Sequence, residues 1–435
     1  MRNELKSRHL SSWTASSFVI ASMIGTGVFT SLGYQLINIQ SIFSLMMLWV
    51  IGGVIAICGA LTYSELATAL PRSGGEYHLL TTIMSRPIGF AAGIVSATVG
   101  FTAPAVLASI ALGNYFHAVV PIFNPTLLAF TVIVVIHIVH MTSIRWGLIF
   151  QDSFTIIKVG LILIFIFFGF LNKTPEKISM VPILGDYAKI LSPEFAVSLI
   201  WVSYAYTGWN SIIYIAGEIK KPKLNISMTM IGSTIFVTVL YLLLNYIFLY
   251  TTPIDLMIGQ IEIGYISGIK IFGQFGANII GIGISILLLS TVSSYVYIGP
   301  RIMQIMGEDH NTLRFLSYKN NFGVPIKGFL LQLFISIIFI ITSSFEQVLM
   351  YAGITLILTT IFTVLSLFIL RITRPNLHRP YKVLGYPITP IFYLIINGWI
   401  IYYSFQESLF ESLIGCGIFV FGIIIFYLQT KDRKS

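Results

Sequence analysis

Charge is what this chain of 435 residues has least of: Asp, Glu, Lys and Arg together make up 9%. A soluble domain carries roughly 25%, so a water-facing globule is excluded and a lipid-facing one is indicated. Cysteine is nearly absent too. Cys58 and Cys416 both fall inside apolar runs, which argues against a structural disulfide and against Cys-based metal or redox chemistry. Catalytic signatures are missing: there is no His-Glu-x-x-His, no Gly-x-Ser-x-Gly and no Walker loop, so a membrane protease or an ATP-driven pump lacks its parts. No cofactor and no metal are expected. Low-complexity segments are missing as well, and no long stretch without an apolar span leaves room for a sizeable soluble domain. Met1 to Arg8 runs into an apolar segment with no cleavage site, and is expected to be a cytoplasmic lead rather than a signal peptide.

What is present is hydrophobic: 56% of residues, with a mean hydropathy of +0.89. The net charge of +9 would suit nucleic acid if it were clustered, but it follows topology instead. The basic residues of the N-terminal tail, Arg72, Arg86, Arg145, Lys220 to Lys223, Arg301 to Lys327, Arg371 to Lys382 and the C-terminal tail fall in alternate connections. Lys173, Lys177, Lys189 and Lys270 fall in the opposite ones. This is the positive-inside pattern, so a lipid bilayer and not nucleic acid is the expected partner.

A hydrocarbon core of about 30 Å needs about 20 apolar residues per helix. Read that way, the chain is an all-α membrane protein of twelve spans. Residues 1–11 form a cytoplasmic tail, 12–171 a first unit of five spans, and 172–370 a second unit of five behind an external loop. Residues 371–428 add a cytoplasmic loop and two further spans, and 429–435 a second cytoplasmic tail. An odd number of spans per unit inverts the second unit relative to the first, the arrangement in which one bundle rocks against the other.

Two spans are broken at their middles, each the first of its unit. One break is Ile24-Gly25-Thr26-Gly27, the other Tyr204-Ala205-Tyr206-Thr207-Gly208. Backbone freed at mid-membrane survives only where it faces protein or a water-filled cavity, and a matched pair of breaks points to a transporter's substrate site. The inner half-helix of the first span is expected to present free amides to an anion, where Gly25 and Gly27 allow close approach. The second break frees carbonyls suited to an ammonium group. Together they describe an amino-acid zwitterion. The same glycines also suit close helix–helix packing.

Lys158 lies inside the fifth span. A lysine near mid-membrane costs at least about 3 kcal/mol and marks function by default. It reads as a fixed cation in place of a bound ion, or as a group that exchanges a proton; snorkelling to the cytoplasmic interface, with Asp152 two turns away, is the competing reading. Glu65 is expected to pair with an inner-side Arg, and Glu218 to form an inner gate contact. His137 and His140, at i,i+3, read as interfacial histidines rather than ligands. Tyr204 reads as an aromatic lid or as ordinary packing.

The motifs Ile24-Gly-Thr-Gly-Val-Phe29, Glu65 through Pro71-Arg-Ser-Gly-Gly-Glu-Tyr77, and Gln151 through Lys158 recur in one family. So do Tyr204-Ala-Tyr-Thr-Gly-Trp-Asn210, Glu218-Ile-Lys-Lys-Pro222, Gly299-Pro-Arg301 and Arg374 through Pro387. With them the chain resembles the amino acid–polyamine–organocation permeases, particularly bacterial relatives of the L-type amino acid transporters. The resemblance implies a five-plus-five inverted repeat with two extra helices. It implies a substrate held by the Met23 carbonyl, the amides of Thr26 and Gly27, and the carbonyls of Tyr204, Ala205 and Thr207. By the same resemblance Tyr204 gates, and Lys158 sits where sodium-coupled relatives bind an ion, with Ser293 or Ser294 as its neighbour. Eukaryotic relatives carry a loop cysteine that links a glycoprotein; Phe116 to Pro125 has none, so no disulfide-linked heavy chain is expected.

The expected function is secondary transport of a neutral amino acid across a bacterial inner membrane, by exchange or with protons, both termini cytoplasmic. A polyamine carrier would need a carboxylate at the breaks, and none follows the second one in Asn210 to Tyr214. A sensor that binds without transporting would favour long cytoplasmic extensions.

Overall fold

The computed structural model describes residues 10–142, 146–320 and 323–431. The N-terminal tail before residue 10, Arg145 and the tail beyond 431 lie outside the described residues, as do the side chains of Gln151 and Asp152. Among the described residues all regular structure is helical, apart from one parallel bridge between Leu10 and Ile219.

The chain opens with α1 (Ser12–Met23), α2 (Gly27–Asn38), α3 (Ile42–Ala69), α4 (Gly75–Ile83), α5 (Arg86–Val95) and α6 (Thr102–Val119). It continues through α7 (Pro125–Thr142), α8 (Trp146–Phe170), α9 (Asp186–Ile190), α10 (Pro193–Tyr206), α11 (Pro222–Thr251) and α12 (Ile254–Met257). It ends with α13 (Ile263–Asp309), α14 (Ile326–Thr342), α15 (Phe345–Thr373), α16 (Ile388–Glu407) and α17 (Leu409–Lys431). Ser11, Ser41, Ser192 and Ser344 accept backbone amides at the starts of α1, α3, α10 and α15, satisfying donors that lipid would leave bare. Nine helical stretches among the described residues are long and apolar enough to cross a membrane; Phe154–Phe170 and Ile326–Thr342 are shorter apolar helices.

The packing is two-sided. α6 runs along α13 and α3 along α11, while α5 lies against α17. Outward-facing Phe167 and Phe168 on α8, with Phe334 and Ile341 on α14, stay exposed, as an apolar belt in lipid requires.

Several connections carry more structure than their sequence suggests. The segment between Arg72 and Arg86 folds into α4, entered through Gly74 and Gly75 at positive φ, a conformation open to glycine at little steric cost. The connection 251–274 contains α12 and the first turns of α13, which bends at Gly273. The third span includes a π-helical turn at Ser96–Gly100. The sixth span is shorter than its apolar run: α10 stops at Tyr206, and 3₁₀ turns at Ser211–Tyr214 and Ala216–Glu218 carry the chain onward.

Glu65, fully buried at the end of α3, is held as expected by basic residues. Arg371 donates from Nε at 3.0 Å and Nη2 at 2.6 Å, Arg379 Nε lies 3.2 Å away, and the Val383 amide donates at 2.8 Å. This carboxylate ties the loop after α15 to the end of α3. Glu65→Gln leaves two guanidinium groups facing a neutral amide, and removing one partner of a buried pair costs about 3 kcal/mol. The melting temperature in detergent is expected to fall clearly; an unchanged melt overturns this assignment.

Candidate functional site

Both spans break where glycine and threonine replace the apolar run. α1 ends at Met23, Ile24 takes ψ 86°, and α2 starts at Gly27. The half-helix whose amides face the break is therefore α2, the second half of the span. With a cytoplasmic N-terminus that is the outer half, not the inner half expected from the sequence. No hydrogen bond among the described residues uses the Thr26 amide, as expected for the first donors of a helix. At the second break Thr207 turns out of the helix and Gly208 adopts φ +110°. Thr207 caps α10 twice, its amide on the Tyr204 carbonyl at 2.9 Å and its hydroxyl on the Ser203 carbonyl at 3.1 Å.

The two breaks touch. A Cβ on Gly27 would lie 2.3 Å from Ala205 Cα, and one on Gly208 would lie 2.5 Å from the Ser22 carbonyl oxygen. Backbone meets backbone here because neither glycine has a side chain. Across the contact the Thr26 and Tyr204 hydroxyls share a hydrogen bond of 3.2 Å. Tyrosines from other helices satisfy the carbonyls left at the end of α1: Tyr241 donates to Met23 at 2.6 Å and Tyr295 to Ser22 at 3.0 Å. Tyr115 donates to the Phe29 carbonyl at 2.8 Å and accepts from the Gly264 amide at 2.9 Å.

Two small cavities adjoin this contact, and a larger space lies beyond the 3₁₀ turns. A vestibule of about 700 Å³ is lined by α1, the 3₁₀ turns and α13, including Thr14, Tyr214, Glu218 and Arg301. A chamber of about 60 Å³ lies beside Ser22, Glu76, Gly208 and Tyr295. Tyr214 and Ile298 line both spaces and form the wall between them. A third cavity of about 40 Å³ is bounded by Tyr204, Thr207 and Trp209. On the far side of the break, Tyr34 stacks on Trp201 with ring centroids 4.4 Å apart and on Phe345 at 5.9 Å. Of the residues read as substrate-binding, Tyr204, Thr207 and Gly208 line a cavity. Met23, Gly25, Thr26, Gly27 and Ala205 are packed where the breaks meet and line none of these three.

Lys158 does not snorkel. It is buried, with Nζ 2.8 Å from Thr291 Oγ1 and 3.4 Å from the Ala21 carbonyl, and so joins α8 to α13 and to the end of α1. Its hydroxyl neighbour is Thr291, not Ser293 or Ser294. Ser293 lies two residues further along α13, on the far face of the helix, where it bonds His140 Nε2 at 2.8 Å; Ser294 folds back onto the Ser290 carbonyl. His137 and His140 are both buried within the protein, His137 Nδ1 lying 2.8 Å from the Ile133 carbonyl. Glu218 lines the vestibule, and its carbonyl accepts from the Leu10 amide at 3.1 Å. Cys58 and Cys416 are free thiols in α3 and α17.

One residue escaped sequence reasoning. Glu76 is buried in the chamber wall, accepting from Tyr214 at 2.6 Å, Asn210 at 2.8 Å and Tyr63 at 3.0 Å. Its position in Ser73-Gly-Gly-Glu76 resembles an interfacial loop. The available signal was a carboxylate directly after two glycines beside an apolar helix.

Close approach explains the glycines selectively. Gly27→Ala and Gly208→Ala drive a methyl into backbone, which typically costs about 1–3 kcal/mol, whereas the nearest atom to a Cβ on Gly25 is Thr291 Cγ2 at 3.4 Å. Melting in detergent is expected to fall for the first two and to stay near wild type for Gly25→Ala. Equal losses at all three positions contradict the contact.

Comparison with known sequences accords with this geometry. Residues 10–429 match the family model described as amino acid permease. The chain is 23% identical to Asc-type amino acid transporter 1 of Mus musculus, over 97% of this chain and 81% of that protein. It is 24% identical to large neutral amino acids transporter small subunit 2 of Homo sapiens, over 95% and 79%. It is 26% identical to b(0,+)-type amino acid transporter 1 of Mus musculus, over 94% and 85%. Two interrupted helices meeting in a multi-pass helical membrane protein, with a family match over nearly its whole length, make this chain a member of the amino acid permease family, a transporter and not an enzyme.

Proposed function

We propose that the chain moves neutral, zwitterionic amino acids across a plasma membrane by alternating access, with the substrate held on the main chain of the two breaks. The observation that carries this reading is the direct contact of the breaks, Gly27 on Ala205 and Thr26 hydrogen-bonded to Tyr204. The start of α2 and the end of α10 meet there, so a donor-rich helix N-terminus faces an acceptor-rich C-terminus. A carboxylate goes to the amides of Thr26 and Gly27, the Gly25 amide being taken by the Met23 carbonyl, and an ammonium to the carbonyls around Tyr204, Ala205, Thr207 and Gly208. Met23 receives no substrate role, because its carbonyl already accepts from the Gly25 amide and from Tyr241 and so has both lone pairs occupied. Tyr204 is the lid: its hydroxyl on Thr26 covers the amides that a carboxylate would take. In relatives named for large neutral amino acids the substrate class agrees with this uncharged cradle.

The twelve-span arrangement is supported by the nine long apolar stretches, the two shorter ones and α10. On this reading residues 12–171 and 172–370 are inverted five-span units, 371–428 adds two spans, and both tails face the cytoplasm. The aromatic stack of Tyr34, Trp201 and Phe345 is then the closed outer gate, and the vestibule with Arg301 and Glu218 the inner mouth. Lys158 is the fixed cation that ties α8 to the end of α1. The two thiols sit within α3 and α17, which supports action without a disulfide-linked heavy chain.

Uptake of labelled amino acids into proteoliposomes tests the proposal. Exchange gives flux only in counter-loaded vesicles, and symport gives flux driven by acid outside; either supports a permease. Binding without flux identifies a sensor and overturns transport. Lys158→Ala is expected to lower the initial rate by about tenfold or more, equivalent to ~1.4 kcal/mol, and an unaffected rate removes Lys158 from the mechanism.

A further inference from the structure

Glu76 has a setting the transport reading leaves unused. Three residues before it, Ser73 Oγ accepts the Gly217 amide at 3.0 Å, and a Cβ on Gly75 would lie 2.1 Å from the Tyr214 ring. Residues 73–76 thus clasp the 3₁₀ segment that follows the second break. The carboxylate completes the clasp, and two of its three donors, Asn210 and Tyr214, belong to that segment. The third, Tyr63, belongs to α3.

Among the described residues, no balancing cation pairs with Glu76. α3 presents Tyr63, the 3₁₀ segment Asn210 and Tyr214, α15 Thr360, α16 Tyr393 and α13 Tyr295. On its own side of the fold, Arg72 pairs instead with Asp309 at 3.5 Å. None of the ion pairs among the described residues includes Glu76. Burial pushes its carboxyl above the ordinary range, while the donors from Tyr214, Tyr63 and Asn210 pull the other way.

We propose that Glu76 is a proton-binding site of the transport cycle, ionised while Asn210 and Tyr214 donate to it and protonated when that segment withdraws. A buried carboxylate with neutral donors on every side is tolerable as an anion. Left with Tyr63 alone and no counter-ion, it takes a proton rather than stay charged. Tyr214 and Ile298 form the wall between chamber and vestibule, so while Tyr214 is withdrawn the Glu76 proton can pass to vestibule water, and the return of Tyr214 to the resulting anion then closes the chamber. Opening of the inner wall and occupancy by the proton are then one event. This rests on the transport reading above.

The test is amino-acid exchange in counter-loaded proteoliposomes at equal pH on both sides. Wild type is expected to vary at least about threefold between about pH 5.5 and pH 8. Glu76→Gln, which keeps the side chain's size without its titration, is expected to lose that variation. Tyr214→Phe removes a donor to the anion and so favours the protonated form; its profile is expected to move up by about one pH unit. A structural role would scale the rate without moving the profile. If Glu76→Gln keeps the wild-type profile, or if only Lys158→Ala abolishes it, Glu76 is not the proton site. Should Glu76→Gln fail to fold, an unmoved Tyr214→Phe midpoint overturns the proposal by itself. Absence of both exchange and acid-driven uptake by the wild type sinks the transport reading first, and a wild-type rate independent of pH sinks only this inference.

Discussion

Backbone touching backbone where two helices are interrupted is the contact on which the rest of the fold depends. Gly27 lies against Ala205 and Gly208 against Ser22, so two interrupted helices share a seam with no side chain between them. Lipid offers no partner for the amides and carbonyls that such interruptions release. The surrounding helices are arranged to supply them. Hydroxyls of Tyr241 and Tyr295 reach the carbonyls of Met23 and Ser22, Thr207 caps α10 with amide and hydroxyl, and Lys158 reaches the Ala21 carbonyl. Tyrosine suits this work: its ring packs as a hydrophobe while its tip delivers one directional donor.

The same seam divides the molecule into two unequal sides. Beyond it, three aromatic rings from α2, α10 and α15 stack on one another. Before it, the chain from Gly208 to Ile219 is held by 3₁₀ turns and by contacts from outside the segment instead of an α-helical ladder. Ser73, Glu76 and Leu10 all grip that segment. A stretch held by a few polar contacts can be released at lower cost than a helix packed along its length. The vestibule beneath it fits that asymmetry.

Charge, so scarce in the sequence, is concentrated where it fixes geometry. Glu65 gathers Arg371, Arg379 and the Val383 amide, anchoring the connection between α15 and α16 to α3. Its role was legible, because a carboxylate ending a span above basic loops has few other partners. Glu76 was not, although it lies only eleven residues further on. Nothing in Ser73-Gly-Gly-Glu76 distinguishes a solvated turn from the clasp that it forms. That distinction rests on Asn210 and Tyr214, which are 134 and 138 residues away.

Composition and spacing alone determined the membrane setting, the succession of helices, and the places where two of them fail. Those properties are local: a run of about 20 apolar residues forms a helix in lipid whatever its neighbours, and glycine beside threonine weakens it at that point. Only the tertiary structure decided which side chains meet. Thr26 and Tyr204 are 178 residues apart and Lys158 and Thr291 133 apart. Helical periodicity places Thr291 and Ser294 on one side of α13 and Ser293 on the other, but it cannot say which side turns toward α8. That rotation is set by the packing of α13 along α6, α7 and α14 together, and it brought Thr291 to the ammonium and sent Ser293 to His140.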